Sequence, residues 1–248
     1  MTKRPDGLHL AAAVLKLILA LCLLPLGTGL AAESAGKRAI SGNFSEGFED
    51  IAELPGRGWR QQNNSQPEGI SGWFQGNDAV FTAHAGPDDS YIGASFDNAA
   101  GLGTISNWLL TPEMVVQNGT RIRFWTRSDQ AAINPFPDRL EVRLSTSGAS
   151  TNVGATATSV GDFTDRRLAI NESLGTEYPR VWTEYEFVLD NLAQPTTGRI
   201  GFRYFVENSG PLGDNGTYIG IDTVSVTQPA GDLEDVIFTD RFEPIEQD

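Results

Sequence analysis

Period-two alternation of apolar and polar residues recurs along this chain, and it limits the fold to sheets with one dry face. In 91–96, Ile92, Ala94 and Phe96 alternate with Tyr91, Gly93 and Ser95. In 121–127, Ile122, Phe124 and Thr126 oppose Arg121, Arg123, Trp125 and Arg127. The same pattern sets Leu140, Val142 and Leu144 against Arg139, Glu141 and Arg143, and it returns in 183–189 and 199–206. Gly, Asn and Pro separate these runs, and no amphipathic helix longer than a turn or two is evident. One apolar and one polar face per strand is what two packed antiparallel sheets require. The expected fold is all-β, a sandwich of two antiparallel sheets.

The stretch Tyr218-Ile-Gly-Ile-Asp-Thr-Val-Ser-Val226 reads as the closing strand. Its alternation breaks at Asp222. Ile219 and Ile221 share one face of an ideal strand, and Val224 and Val226 share the other. Either a bulge sits near Asp222 and Thr223, or Asp222 lies on the face of Val224 and Val226. A carboxylate on an apolar face is costly unless a cation or strong donors hold it. The reading is a ligand of a buried cation, set against a surface Asp at a bulge.

The 248 residues suit one sizeable sandwich, and 27 Gly with 13 Pro suit short strands and many turns. The formal net charge of −14 argues against nucleic acid or anionic lipid as a main partner, because phosphate binding needs a basic surface. Lys3, Arg4 and Lys16, the apolar run 17–26 and the small residues 29–32 read as an export signal over 1–32. Residues 33–42 then form a flexible lead-in, 43–228 the sandwich, and 229–248 a linker and short tail, with no membrane span after signal cleavage. Cys22 is the single cysteine and lies in the signal, so the exported protein has no disulfide. His84 is the one histidine outside the signal. Residues 60–72 and 147–165 read as loops, and 79–82 as a short strand. Ile237-Phe-Thr-Asp-Arg-Phe-Glu243 echoes Phe44-Ser-Glu-Gly-Phe-Glu49.

Several segments, in order, carry a resemblance. They are Gly72-Trp-Phe-Gln-Gly-Asn77, Ser90-Tyr-Ile-Gly-Ala94, Gly103-Thr-Ile-Ser-Asn-Trp-Leu-Leu-Thr-Pro112, 137–154, Gly161-Asp-Phe-Thr164, Phe202-Arg-Tyr-Phe-Val-Glu-Asn208 and Tyr218-Ile-Gly-Ile-Asp-Thr-Val224. Together they resemble the choice-of-anchor J family of secreted bacterial proteins, which is related to cleaved-adhesin domains. The resemblance implies a jelly-roll sandwich similar to carbohydrate-binding modules, a structural calcium and no catalysis. It implies that Phe48-Glu49 and Ile221-Asp222 lie close to the ion. The sorting tail common in that family is missing, and the terminus resembles a different short tail, with Arg241 where Gly is usual.

Calcium takes six to eight oxygens, so Glu49 and Asp222 are the leading ligand candidates, with Asp50, Asp78 and Asn107 behind them. An ion between Glu49 and Asp222 would tie the first strand to the last. No Asp-x-Asp-x-Asp-Gly loop is present. For a sugar site, Trp125 and Arg123 lie on the polar side of their strand, while Phe136 and Trp73 are further aromatic candidates. Cross-strand ion pairs, or core packing of Trp73, explain the same residues without a ligand. Motifs for a nucleophile elbow, a zinc protease or a Walker loop are missing. The expectation is an exported, calcium-stabilised, non-catalytic module for extracellular glycan or matrix material, secreted or held at the cell surface. The alternatives are a structural surface protein without a specific ligand and a glycan hydrolase.

Overall fold

The computed structural model describes residues 38–129 and 136–230. The expected export signal, most of the lead-in and the Phe-Thr-Asp-Arg-Phe-Glu tail lie outside the described residues. Thirteen strands follow in chain order: β1 (Phe44–Glu46), β2 (Arg60–Asn63), β3 (Gln66–Glu68), β4 (Phe74–Gln75), β5 (Ile92–Ser95), β6 (Ala99–Leu110), β7 (Met114–Val116), β8 (Arg121–Ser128), β9 (Leu140–Ser145), β10 (Asp165–Ile170), β11 (Thr183–Val188), β12 (Thr196–Ser209) and β13 (Tyr218–Thr227). One four-residue helix, α1 (Leu54–Arg57), sits between β1 and β2. Pro55 suits its first turn, and it stops at Gly58, whose φ of 100° favours glycine.

The strands form two sheets. The first runs β11-β8-β13-β5-β4, with β1 also paired to β13. The second runs β10-β9-β12-β6-β2, with β3 added to β6 and β7 to β12. Every named pair is antiparallel, and the result is a jelly-roll β-sandwich. The alternating apolar sets point between the sheets: Ile92 and Ala94, Ile122 and Phe124, Leu140, Val142 and Leu144, and Ile200, Phe202, Tyr204 and Val206 share one core. Phe124 meets Phe202 edge-on across the two sheets at 5.1 Å.

Some local expectations shift. The polar stretch 60–72 contains edge strands β2 and β3, because the twelve-residue β6 offers β2 its residues 107–110 and β3 its residues 99–104 as backbone partners. Residues 79–82 form no strand; Val80 and Phe81 amides turn back to the Asn77 carbonyl. Ile40 already pairs with Met114, inside the stretch read as lead-in.

The break at Asp222 is a bulge. Pairing of β13 with β8 shifts register between Asp222 and Ser225, and Thr223 has a φ of 51°. The extra residue puts Ile219, Ile221, Val224 and Val226 all into the core. Asp222 therefore points to the outer face, yet it is buried.

Loops cover much of the outer face of each sheet, while Arg123, Glu184 and Glu186 on β8 and β11 stay exposed. Residues 76–90 lie over the first sheet. Gly220 and Gly93, paired across β13 and β5, make room beneath them. A Cβ at Gly220 would meet Phe81, Trp182 and Tyr91 atoms at 2.9 Å each. Over the second sheet, Val153 and Phe163 of the long loop 146–164 pack on Trp108 and Leu110. This loop also buries an ionic cluster. Arg203, 1% exposed, bonds Glu141 Oε2 at 3.0 Å and Ser106 Oγ at 3.0 Å, donates to the Ala157 carbonyl, and stacks over the Phe205 ring. The strand phase of Arg203, Arg199 and Glu141 is outward, but the overlying loop removes them from water.

Candidate functional site

A depression lies at one end of the first sheet. It is a cleft of about 810 Å³. Phe74 of β4, Ser95 of β5 and Tyr218 of β13 are on its sheet side. Phe96 and Asp97 form one wall, residues 210–217 another, and Asn77 and Val80 of the covering loop a third. Phe136 closes the rim. Phe96 is 38% exposed and Phe136 45% exposed, so two aromatic side chains face solvent at a concave surface that mixes apolar groups with hydroxyl, amide and carboxylate groups.

The local sequence explains the shape. Ser95 ends β5 and its hydroxyl accepts the Asp97 amide, which turns the chain out into the wall. The Asp97 carbonyl accepts the amides of Ile70 and Ser71, which sets a second segment beside it. On the opposite wall, Asp138 is fully buried and accepts from the Thr217 amide at 2.8 Å, the Thr217 hydroxyl at 2.6 Å and the Tyr204 hydroxyl at 2.5 Å. Burial raises the Asp138 pKa, and the Thr217 and Tyr204 donors oppose that rise. Thr217 is thereby fixed to the core from below. Tyr218 lies beside Phe74, ring centroids 5.5 Å apart, and its hydroxyl is 3.0 Å from that of Tyr91.

Asp222 is elsewhere on the same face. Its Oδ2 accepts the amides of His84 at 2.9 Å and Ala85 at 3.1 Å, and its Oδ1 accepts the Thr223 amide at 2.5 Å. Burial raises its pKa, and the three amides oppose the rise. The strong donors that a buried carboxylate requires are thus backbone N–H groups of the covering loop and the bulge. Glu49 is exposed, and among the described residues no hydrogen bond or ion pair joins it to Asp222. Asp50 is exposed and caps a short 3-10 turn through the Ala52 amide. Asp78 is exposed in a turn of the covering loop. Asn107 belongs to the other sheet, buried, with its Nδ2 on Asn98 Oδ1 at 2.9 Å. Among the described residues no group of three or more His, Cys, Asp or Glu is placed to hold a metal. The first strand is joined to the last by antiparallel pairing of β1 with β13. Gln75 donates to the carbonyls of Phe48 and Asp89 and accepts the Ile51 amide.

The sugar candidates also separate. Phe136 is in the cleft. Trp73 is in the core, 5% exposed, which removes it from any binding surface. Trp125 is half-buried, and His84 stacks on it with centroids 3.8 Å apart and planes at 16°, so one face of the indole is occupied. Arg123 and Arg121 both pair with Glu186 across β8 and β11, a surface arrangement worth about 0–1 kcal/mol. Sequence reasoning missed Phe96, Asp97 and Tyr218 as cleft residues. Phe96 was placed with the apolar set of 91–96, but the turn that begins at Ser95 rotates it outward.

A profile of the Cleaved Adhesin Domain family matches residues 44–226. A search of curated proteins found no match. Among solved structures, the K1 cleaved adhesin domain of Lys-gingipain from Porphyromonas gingivalis W83 is 19% identical, with a TM-score of 0.50, over 75% of this chain and 98% of that one. The K2 domain of Lys-gingipain is 20% identical, TM-score 0.45, over 75% and 99%. A family 11 carbohydrate-binding module from Clostridium thermocellum, solved with a β-1,3-1,4-mixed-linked tetrasaccharide, is 12% identical, TM-score 0.39, over 76% and 97%. The family profile spans the sandwich from β1 to the last strand, and on that match the chain belongs to the cleaved adhesin domain family.

Proposed function

We propose that this domain is an exported, non-catalytic binding module that takes extracellular glycan in the cleft at the end of the first sheet. One observation carries the reading: Phe96 and Phe136 stand exposed around a concave surface in which Phe74, Val80 and the Tyr218 ring alternate with hydroxyl, amide and carboxylate groups. Sugar rings offer apolar faces for aromatic stacking and hydroxyls for such polar groups, and pockets of this size suit a few rings. Cell-surface or extracellular placement accords with this reading; among the described residues no helix is long and apolar enough to cross a membrane. A glycan array on the purified protein is the test. Saturable binding that falls about five- to tenfold in each of Phe96→Ala and Phe136→Ala supports the reading, since each stacking ring is worth roughly 1–1.5 kcal/mol. Binding unchanged in both variants refutes it.

A surface or matrix protein as partner is favoured by a different observation. Ile70, Leu102 and Leu212 are 93%, 60% and 77% exposed, and the Leu212 amide is bonded to the Gly101 carbonyl, next to Leu102. On that alternative, Ile70→Ser and Leu212→Ser weaken adhesion while glycan binding is nil.

A structural calcium, implied by the family resemblance, is a separate proposal. Glu49 and Asp50 are exposed neighbours that could supply carboxylates, while Asp222 already accepts three backbone amides. Calcium supplies charge neutralisation and cross-linking of oxygens. A melt in calcium above the melt in chelator, with the gap closed by Glu49→Ala, supports it; coincident wild-type melts remove it.

A further inference from the structure

The cleft carries a second message in where its hydrogen atoms go. Tyr91 has one hydroxyl proton, and its oxygen is 2.9 Å from the Asn77 carbonyl, which can only accept. The Asn77 amide donates to the same oxygen at 2.9 Å. With the Tyr91 proton on the Asn77 carbonyl, the contact of 3.0 Å between the two hydroxyls has Tyr218 as its donor. With its proton committed, the Tyr218 oxygen presents lone pairs alone. The adjoining Asp97 carboxylate is half-buried in the wall, and among the described residues no hydrogen bond to it is seen. No Lys, Arg or His is among the described lining residues, and Asp129 adds another acid. The surrounding chain carries a net charge of −14.

We propose that the cleft is an acceptor-lined site selective for donor-rich sugar units, amino sugars first, neutral sugars second and anionic sugars excluded, with Tyr91 as the positioning residue that turns Tyr218 into an acceptor. The inference rests on the glycan reading above and adds the chemical class. An ammonium group finds the Asp97 carboxylate and the Tyr218 oxygen in one cleft, whereas a uronate or sulfated unit meets like charge with no cation among the described lining residues. A neutral sugar retains its hydroxyl donors to Tyr218 but gains no charge pairing.

The test is calorimetry of the purified protein against three probes of equal length: a glucosamine tetramer, an N-acetylglucosamine tetramer and a galacturonate tetramer. The expected order is amino tighter than N-acetyl by about tenfold, with the galacturonate probe too weak to measure. Asp97→Asn is expected to bring the amino probe level with the N-acetyl probe while leaving the latter within about twofold, because the charge and not the shape is removed. If the preference survives in Asp97→Asn, it comes from the protein's overall charge, and the site assignment is overturned. For the tyrosines the readout is a double-mutant cycle on N-acetyl binding. Tyr218→Phe and Tyr91→Phe are each expected to weaken it, and the double variant to be no weaker than Tyr218→Phe alone; additive losses would overturn the positioning role. Galacturonate bound as tightly as the N-acetyl probe overturns selectivity while the glycan reading stands. Failure of all three probes together with a blank array sinks both.

Discussion

Replacing Asp222 with Ala removes an acceptor shared by three backbone amides, two of them in the loop that covers the first sheet. A buried donor left unpaired costs about 1–3 kcal/mol. Three donors at the low end give about 3 kcal/mol, since water reaches a surface loop more readily than a core. The raised pKa of Asp222 shows that burying its charge has a cost, and deletion of the side chain recovers part of it. The net loss expected is about 2 kcal/mol. Urea unfolding at neutral pH measures it as a lower midpoint at constant slope. Release of the loop should also undo the His84–Trp125 stack, so acrylamide quenching of the native tryptophan fluorescence should rise. The loss should be equal in calcium and in chelator, and additive with Glu49→Ala. A loss that appears in calcium alone, or that Glu49→Ala abolishes, would refute the amide-cap explanation and restore Asp222 as an ion ligand.

Other substitutions test other layers. Glu141→Gln leaves Arg203 buried without its partner and should cost about 3–5 kcal/mol at neutral pH. Burial pushes the Glu141 carboxyl up, but Arg143 and Arg203 outweigh it and hold the pKa below its ordinary value. A depressed carboxylate stabilises the fold above its unfolded pKa and loses that contribution as pH falls through the folded value. The gap between wild type and Glu141→Gln should therefore narrow below about pH 4.5; a gap constant down to pH 2 would contradict the pairing. Gly220→Ala should cost about 1–3 kcal/mol by forcing Phe81, Tyr91 and Trp182 aside, and an unchanged urea midpoint would show that the aromatic loop yields freely.

The strands and their inward faces were legible because alternation is a local signal and β-branched and aromatic residues supply it. The jelly-roll order came through the family resemblance, since no local pattern says which strands pair. The bulge at Asp222 was visible as a phase break, but its consequence was not. Whether a buried carboxylate meets a cation or amides depends on the 76–90 loop, more than a hundred residues away in sequence, and amide donors leave no mark on side-chain identity. The burial of Arg203 and Glu141 was hidden for the same kind of reason: strand phase gives the face, and a loop of Ser, Thr, Gly and Ala decides whether that face is wet. Trp125 drew attention as an outward tryptophan, while the cleft is built from Phe96, Asp97 and Tyr218, which strand ends and turns bring together. Phe136 was legible because two flanking prolines hold it out of regular structure.

The central claim is that ligand enters the cleft bounded by Phe96, Phe136 and Tyr218. Amide chemical-shift mapping with the tightest oligosaccharide from the array tests it directly. Shifts concentrated at 95–97 and 216–218 are predicted, with residues 121–127 undisturbed. Shifts centred on Trp125 and its strand, with the cleft silent, would contradict it.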